Sequence, residues 1–201
     1  MNLRARLAAT LALALLLAGA ATLWLIRAQE PQPALIAGAY DPPRPAPGFT
    51  LDGTDGAPVT LESFRGKVVL LTFGFTHCAA VCPTTLATLA QARSALGERA
   101  KEVQVVFVTV DPERDTIEQM RPYLAAFDPT FVGATGDPTA LAAARGGYGV
   151  TAVREGDGPD YAMAHTSSIF LIDRAGRLRA MMPFGHDAAD FVHDVGLLLE
   201  G

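Results

Sequence analysis

An α/β fold, with one mixed β-sheet flanked by helices, is what this chain predicts, and three observations carry that expectation. Two continuous apolar runs, "KVVLLTFGF" (67–75) and "VQVVFVTV" (103–110), have the composition of strands buried on both faces. Between them "TLATLAQARSAL" (85–96) has helical composition, which makes a βαβ unit with parallel strands. Farther on, "SSIFLID" (167–173) and "LRAMMPF" (178–184) flank Arg174-Ala175-Gly176-Arg177, the signature of an antiparallel hairpin.

The elements follow in order. In "MNLRARLAATLALALLLAGAATLWLIRAQE", Arg4 and Arg6 precede an uncharged apolar run from Leu7 to Ile26, and Arg27 closes it. Twenty helical residues span about 30 Å, the thickness of the hydrocarbon layer. A cleaved signal peptide has a shorter apolar centre, and although Ala18-Gly19-Ala20 resembles a cleavage site, Leu23-Trp24-Leu25-Ile26 prolong the run. Residues 1–28 are therefore expected to be a cytoplasmic N-terminus and an uncleaved transmembrane helix. The arginines before the run place the rest outside, in the periplasm or at the cell exterior, as a single-pass protein of the inner (cytoplasmic) membrane. Residues 29–48, with six prolines, read as a spacer, and the folded domain is expected over 49–201.

That domain opens with "FTLDGTDGAPVTL", an N-terminal β-hairpin by its Asp-Gly turns. After the βαβ unit come a helix over 116–127, a short strand, and a short helix over 137–147 with Asp137 as its N-cap. The hairpin follows, and "DAADFVHDVGLLL" (187–199) closes the chain with an amphipathic helix. A βαβ unit followed by a β-hairpin and a final helix is the thioredoxin-like arrangement.

Composition excludes one partner class. The net charge is −5 and no basic run exists, so nucleic acid finds no electrostatic footprint.

The two cysteines of the chain, Cys78 and Cys82, sit in "FGFTHCAAVCPTTL" between the first buried strand and the helix. On a helix, i and i+4 side chains share one face with Cα atoms about 6 Å apart. That spacing is compatible with a disulfide, with a redox dithiol, and with two sulfurs gripping one soft metal ion. A helix N-terminus favours thiolates and so serves the last two. A disulfide closing so short a loop would stabilise little.

A two-sulfur site for a soft ion is often completed by imidazole, and the candidates are His77, His165, His186 and His193. His77 adjoins Cys78 and is expected to point elsewhere. His186 suits a turn or cap, and His193 a structural place in the last helix. His165, in "YAMAHTSSIFLID", stands in a loop before a core strand, and this topology brings that loop beside the first long helix.

"FGFTHCAAVCPTTL", "VTVDPERDT" and "AHTSSIFLID" together resemble the Sco/SenC family of membrane-anchored, thioredoxin-like copper proteins, which assist copper-centre assembly of cytochrome c oxidase. The resemblance covers the whole domain from "PGFTLDGTDGAPVTLESFRGK" onward. It implies that Cys78, Cys82 and His165 are ligands of copper, Cu(I) or Cu(II), and that Asp111 lies near the site without ligating. It also implies a metallochaperone whose partners are the copper-bearing subunit of cytochrome c oxidase and other copper chaperones. One departure is that many members carry Pro and Asp after the first cysteine, where this chain has Ala79 and Ala80.

The competing function is a thiol–disulfide oxidoreductase that reduces a partner's copper-site cysteines through Cys78 and Cys82 as a redox dithiol. Against a general oxidoreductase stand the C-x₃-C spacing and Ala164-His165-Thr166 where thioredoxins resemble one another in a cis-proline. A peroxiredoxin fits poorly, because its threonine three residues before the reactive cysteine is Phe75 here.

Overall fold

The structure, a computed structural model, describes residues 34–201 except 159, together with residues 12–13, 15–20 and 22 of the N-terminal segment. Two compact units result, Met1–Ala34 and Leu35–Gly201. Residues 12–13, 15–20 and 22 of the first unit are helical and exposed, and the expected anchor over 7–26 lies largely outside the described residues. Among the described residues no helix is long and apolar enough to cross a membrane.

The second unit is built on an eight-stranded mixed sheet. Its centre is two wholly buried strands, β4 (Val68–Gly74) and β5 (Val103–Thr109), parallel and in register from Val68↔Val103 to Gly74↔Thr109. Helix α1 (Val81–Ala95) crosses between them and buries Cys82, Leu86, Leu89 and Ala92, an i, i+4, i+7 stripe facing the sheet. β6 (Val132–Thr135) continues the parallel set beside β5. Between them runs helix α2 (Ile117–Ala125), whose N-cap Thr116 accepts from the Gln119 amide and which accommodates Pro122.

The expected N-terminal hairpin is present as β2 (Leu51–Gly53) and β3 (Pro58–Val59), and β2 adds this pair to the sheet beyond β6. Helix α3 (Pro138–Gly147) starts at Asp137, whose carboxylate accepts from the Thr139 amide as expected. On the other side of β4 lies antiparallel β9 (Ser168–Ile172), then β10 (Arg177–Pro183). Helix α4 (Ala188–Glu200), capped by Asp187, packs against α1. Mixed pairing with β9 antiparallel to β4 is the expected thioredoxin-like arrangement.

Two features differ from the sequence expectation. The expected spacer over 29–48 is in part structure: Gly38–Pro45 forms β1, antiparallel to β10 at the sheet edge. Just before it, the Ile36 and Ala37 amides donate to the two carboxylate oxygens of the wholly buried Asp194 on α4, at 2.8 Å each. The sheet therefore begins ahead of Phe49. Proline is tolerated here because an edge strand bonds on one side only. The second difference is a separate two-stranded hairpin, β7 (Ala152–Glu155) with β8 (Ala162–His165), where a loop was expected.

Candidate metal centre

The centre is assembled where β4 ends. Gly74 lets the chain turn closely: a Cβ there would lie 2.9 Å from the Cys82 sulfur and 2.7 Å from the Phe107 ring. Thr76 then fastens the loop to the end of β5. Its amide donates to both oxygens of Asp115 (3.2 and 3.1 Å) and its hydroxyl to Oδ1 (2.6 Å). Asp115, wholly buried, also accepts from the Thr109 hydroxyl at 2.7 Å. Burial raises the Asp115 pKa, and the donors from Thr76 and Thr109 offset only part of that.

Cys78 is not on the helix, as i, i+4 spacing on one face had implied. It precedes α1, which begins at Val81, and its amide donates to Phe75 O. The N-cap, Ala80, has no side-chain acceptor, and the Cys78 sulfur takes that role by accepting from the Cys82 amide at 3.4 Å. Burial disfavours its thiolate. The amides of Cys82, Ala80 and Val81 and the Cys82 thiol outweigh that, and the Cys78 pKa falls below the ordinary thiol value. Cys82 is the opposite case. It is buried in the first turn of α1, and burial pushes its thiol up to about 12, with the Cys78 charge adding to the effect. Both cysteines are free thiols.

His165 arrives at the end of β8, not in a loop, with Ala152 as its β7 partner. Its Nε2 stands 3.8 Å from the Cys82 sulfur, and the two share a small cavity with Thr72, Phe73, Phe107 and Ser167. Its Nδ1 lies 3.0 Å from Thr166 O, and because a carbonyl can only accept, the proton sits on Nδ1. Nε2 therefore turns a lone pair toward the sulfur. Burial lowers the His165 pKa against that hydrogen bond and keeps the ring neutral. The Phe75 ring supports it edge-on at 5.8 Å.

The other histidines sit apart from this pair. His77 bonds Thr76 Oγ1 at 3.1 Å and faces Asp115. His186 pairs with Asp190 at 2.8 Å, and His193 with Asp194 at 2.9 Å. Asp111 is buried, and its carboxylate accepts from Arg114 Nε (2.6 Å) and from the Tyr161 hydroxyl. Ala79 and Ala80 are exposed.

Among the described residues, no three Cys, His, Asp or Glu side chains already form a metal cluster. The donors are gathered pairwise: one sulfur against imidazole, the other sulfur on the helix terminus. Donors about 2.3 and about 2.1 Å from a shared ion at a trigonal angle stand about 3.8 Å apart, which matches the Cys82–His165 separation. A thiol with a lowered pKa and a lone-pair-bearing imidazole nitrogen are donors of the kind a soft ion takes. Sequence reasoning missed Gly74, Thr76, Asp115 and Tyr161. The "DPERD" run was the available signal for Asp115.

Comparison with known proteins finds relatives of this chain in sequence and in fold. A protein from Arabidopsis thaliana, SCO1 homolog 1 (mitochondrial), is 34% identical over 155 residues, 76% of this chain and 44% of that protein. This chain thus spans under half of that relative's length. The structure resembles Bradyrhizobium japonicum ScoI with copper bound, at 38% identity and TM-score 0.71, covering 76% of this chain and 98% of that one. It also resembles apo Sco1 of Thermus thermophilus in solution, at 38% identity and TM-score 0.75, covering 83% and 98%. The SCO1/SenC family model matches residues 38–200, from the first residue of β1 through α4, and the chain belongs to the SCO1/SenC family.

Proposed function

We propose that this protein is a copper-binding metallochaperone that serves copper-centre assembly of cytochrome c oxidase and holds the metal through Cys78, Cys82 and His165. The observation that carries this reading is the 3.8 Å approach of His165 Nε2, with its lone pair available, to the Cys82 sulfur. Copper is cargo here, received and surrendered by ligand exchange. Thiolate is a soft donor suited to Cu(I), and the added imidazole allows Cu(II) to be held as well. The partially exposed Cys78 is the sulfur through which exchange with another protein's ligands starts, and the buried Cys82–His165 pair is the part that retains. The partner is the copper-bearing subunit of cytochrome c oxidase, with other copper chaperones as donors. The apolar run 7–26 anchors the chain in the inner membrane, with the domain facing the periplasm or exterior.

Copper titration of the full chain tests this, comparing wild type with His165→Ala by Cu(II)–thiolate charge-transfer absorption. Loss of the band in the variant supports the three-donor site; an unchanged band removes His165 from it. Retained Cu(I) and Cu(II) binding in Cys78→Ser would overturn the reading altogether.

The asymmetry of the two thiols favours a second role against the same partner. The Cys78 thiolate attacks a sulfur of the partner's disulfide, forming a mixed disulfide and releasing one partner thiolate. Cys82, giving its proton to His165 Nε2, then attacks the Cys78 sulfur and releases the second. Two electrons pass to the partner, which ends as a dithiol, and this chain ends with a Cys78–Cys82 disulfide.

A further inference from the structure

His165 rides on a hairpin that stands apart from the main sheet. β7 and β8 hydrogen-bond to each other as a separate two-stranded sheet. Isolated two-stranded hairpins are marginal, so something must hold this one where Nε2 meets the Cys82 sulfur. The loop 111–115, between β5 and α2, contacts both sides of the centre. On one side Asp115 grips Thr76 of the cysteine loop. On the other, Arg114 and Asp111 grip Tyr161, the residue before β8.

That second grip is dense. Arg114 Nη1 donates to Tyr161 O at 2.9 Å, and its guanidinium carbon lies 3.6 Å from the Tyr161 ring centroid. Its Nε donates to Asp111 Oδ2 at 2.6 Å, and the Tyr161 hydroxyl donates to Asp111 Oδ1. A second guanidinium, Arg154 of β7, lies 3.7 Å from the same ring and pairs with Glu113 Oε2 at 3.2 Å. Each cation on the ring thus has a carboxylate from the same loop. Arg114 also stands 5.9 Å from the Phe75 ring, the ring that supports His165 edge-on.

We infer that Arg114 is a positioning residue: it clamps Tyr161 and Phe75 to loop 111–115 and thereby sets His165 against the cysteine sulfurs. The inference rests on the copper-holding reading above for its metal readouts, and on the fold alone for its metal-free one. The guanidinium fork is what the role requires. It serves Asp111, the Tyr161 carbonyl and the ring at once, whereas a lysine ammonium, a point charge without the planar fork, cannot hold all three in this arrangement. Because Cu(I) is satisfied by two thiolates, the imidazole's placement should matter more for Cu(II).

The test uses the full chain and the variants Arg114→Lys, Arg114→Ala and Tyr161→Phe. In copper-free Arg114→Lys, the Thr166 amide, which donates to Thr151 O, and the β7–β8 amides should exchange about tenfold faster while β4 and β5 amides stay protected as in wild type. Cu(II) affinity should fall about tenfold with a displaced charge-transfer band, and Cu(I) affinity should stay within about twofold. Tyr161→Phe, which removes one hydroxyl, should move the same readouts the same way by about threefold, and it decides the matter should the Arg114 variants fail to fold. Unchanged hairpin exchange and an unchanged band would overturn the clamp. So would equal losses in β4, β5 and both copper states, because those report general support of the fold. Should the wild type bind no copper, the copper reading falls, and the exchange comparison alone upholds or overturns the clamp.

Discussion

His165 Nε2 lies 3.8 Å from the Cys82 sulfur, although the two residues are 83 positions apart in the chain. The contact joins the first turn of α1 to the last residue of β8, and its two partners are protonated in complementary ways. Cys82 keeps its proton because burial raises its pKa, and His165 stays neutral because burial lowers its own. In the metal-free protein the sulfur is therefore the donor and Nε2 the acceptor.

The two thiols should separate by pH. Thiolate is the form that alkylates, so reactivity rises as pH passes each pKa. Cys78 should reach half-maximal labelling by iodoacetamide below the ordinary thiol value, while Cys82 should label only as pH approaches about 12 or after unfolding. Peptide mass spectrometry across pH reads both sites in one sample. Parallel labelling curves would contradict the assigned asymmetry.

Asp115 carries a different pH dependence. Its folded pKa is raised, so the neutral acid is the form the fold favours. The stability this group contributes is complete below its unfolded pKa and declines as pH rises through the folded value. Asp115→Asn, which mimics the neutral acid, should remove that slope from urea unfolding measured across acidic pH. Asp115→Ala leaves Thr76 and Thr109 without their acceptor and should cost about 1–3 kcal/mol. A wild-type slope retained in the Asn variant would show that another group is responsible.

Gly74→Ala should disturb the centre with no change in its donors. The added methyl would meet the Cys82 sulfur and the Phe107 ring closer than van der Waals contact, so one of them must shift at a cost of about 1–3 kcal/mol. Denaturant unfolding should show that loss, and the Cu(II) charge-transfer band should weaken alongside it. Full retention of stability would mean that the end of β4 has slack.

Residues 35–48 belong to the fold and should be needed by it. A protein beginning at Leu35 should unfold cooperatively, whereas one beginning at Phe49 loses β1 and leaves β10 as a bare edge open to pairing with another copy. Light scattering should show the shorter form associating and calorimetry should show a lower Tm. In the full chain, Asp194→Ala removes the acceptor of the Ile36 and Ala37 amides and should cost about 1–3 kcal/mol. Hydrogen exchange at 36–45 should then quicken while β4 and β5 stay slow.

Much of the architecture was legible because it is written in local patterns. Continuous apolar runs marked β4 and β5, Asp137 announced the start of α3, and turn residues marked the β9–β10 hairpin. β1 was illegible because its prolines match a spacer's composition, and only pairing with β10 makes that segment a strand. The β7–β8 hairpin was missed for the same kind of reason. "AVRE" and "AMAH" are too short and mixed to carry a period, and the hairpin's attachment depends on Arg114, Tyr161 and Asp111 meeting across the fold.

From residues alone came the donor types, their order and their spacing: two sulfurs after a buried strand and an imidazole before a later one. Those follow from strand and helix periodicity, which is a property of neighbours along the chain. How closely those groups meet, and in what protonation state, belonged to tertiary structure alone. The depressed thiol of Cys78 depends on helix-terminal amides, the raised thiol of Cys82 on burial, and the free Nε2 of His165 on a carbonyl that holds Nδ1. Each is an effect of distance and desolvation in space, and neither quantity exists until the sheet has brought the strand ends together.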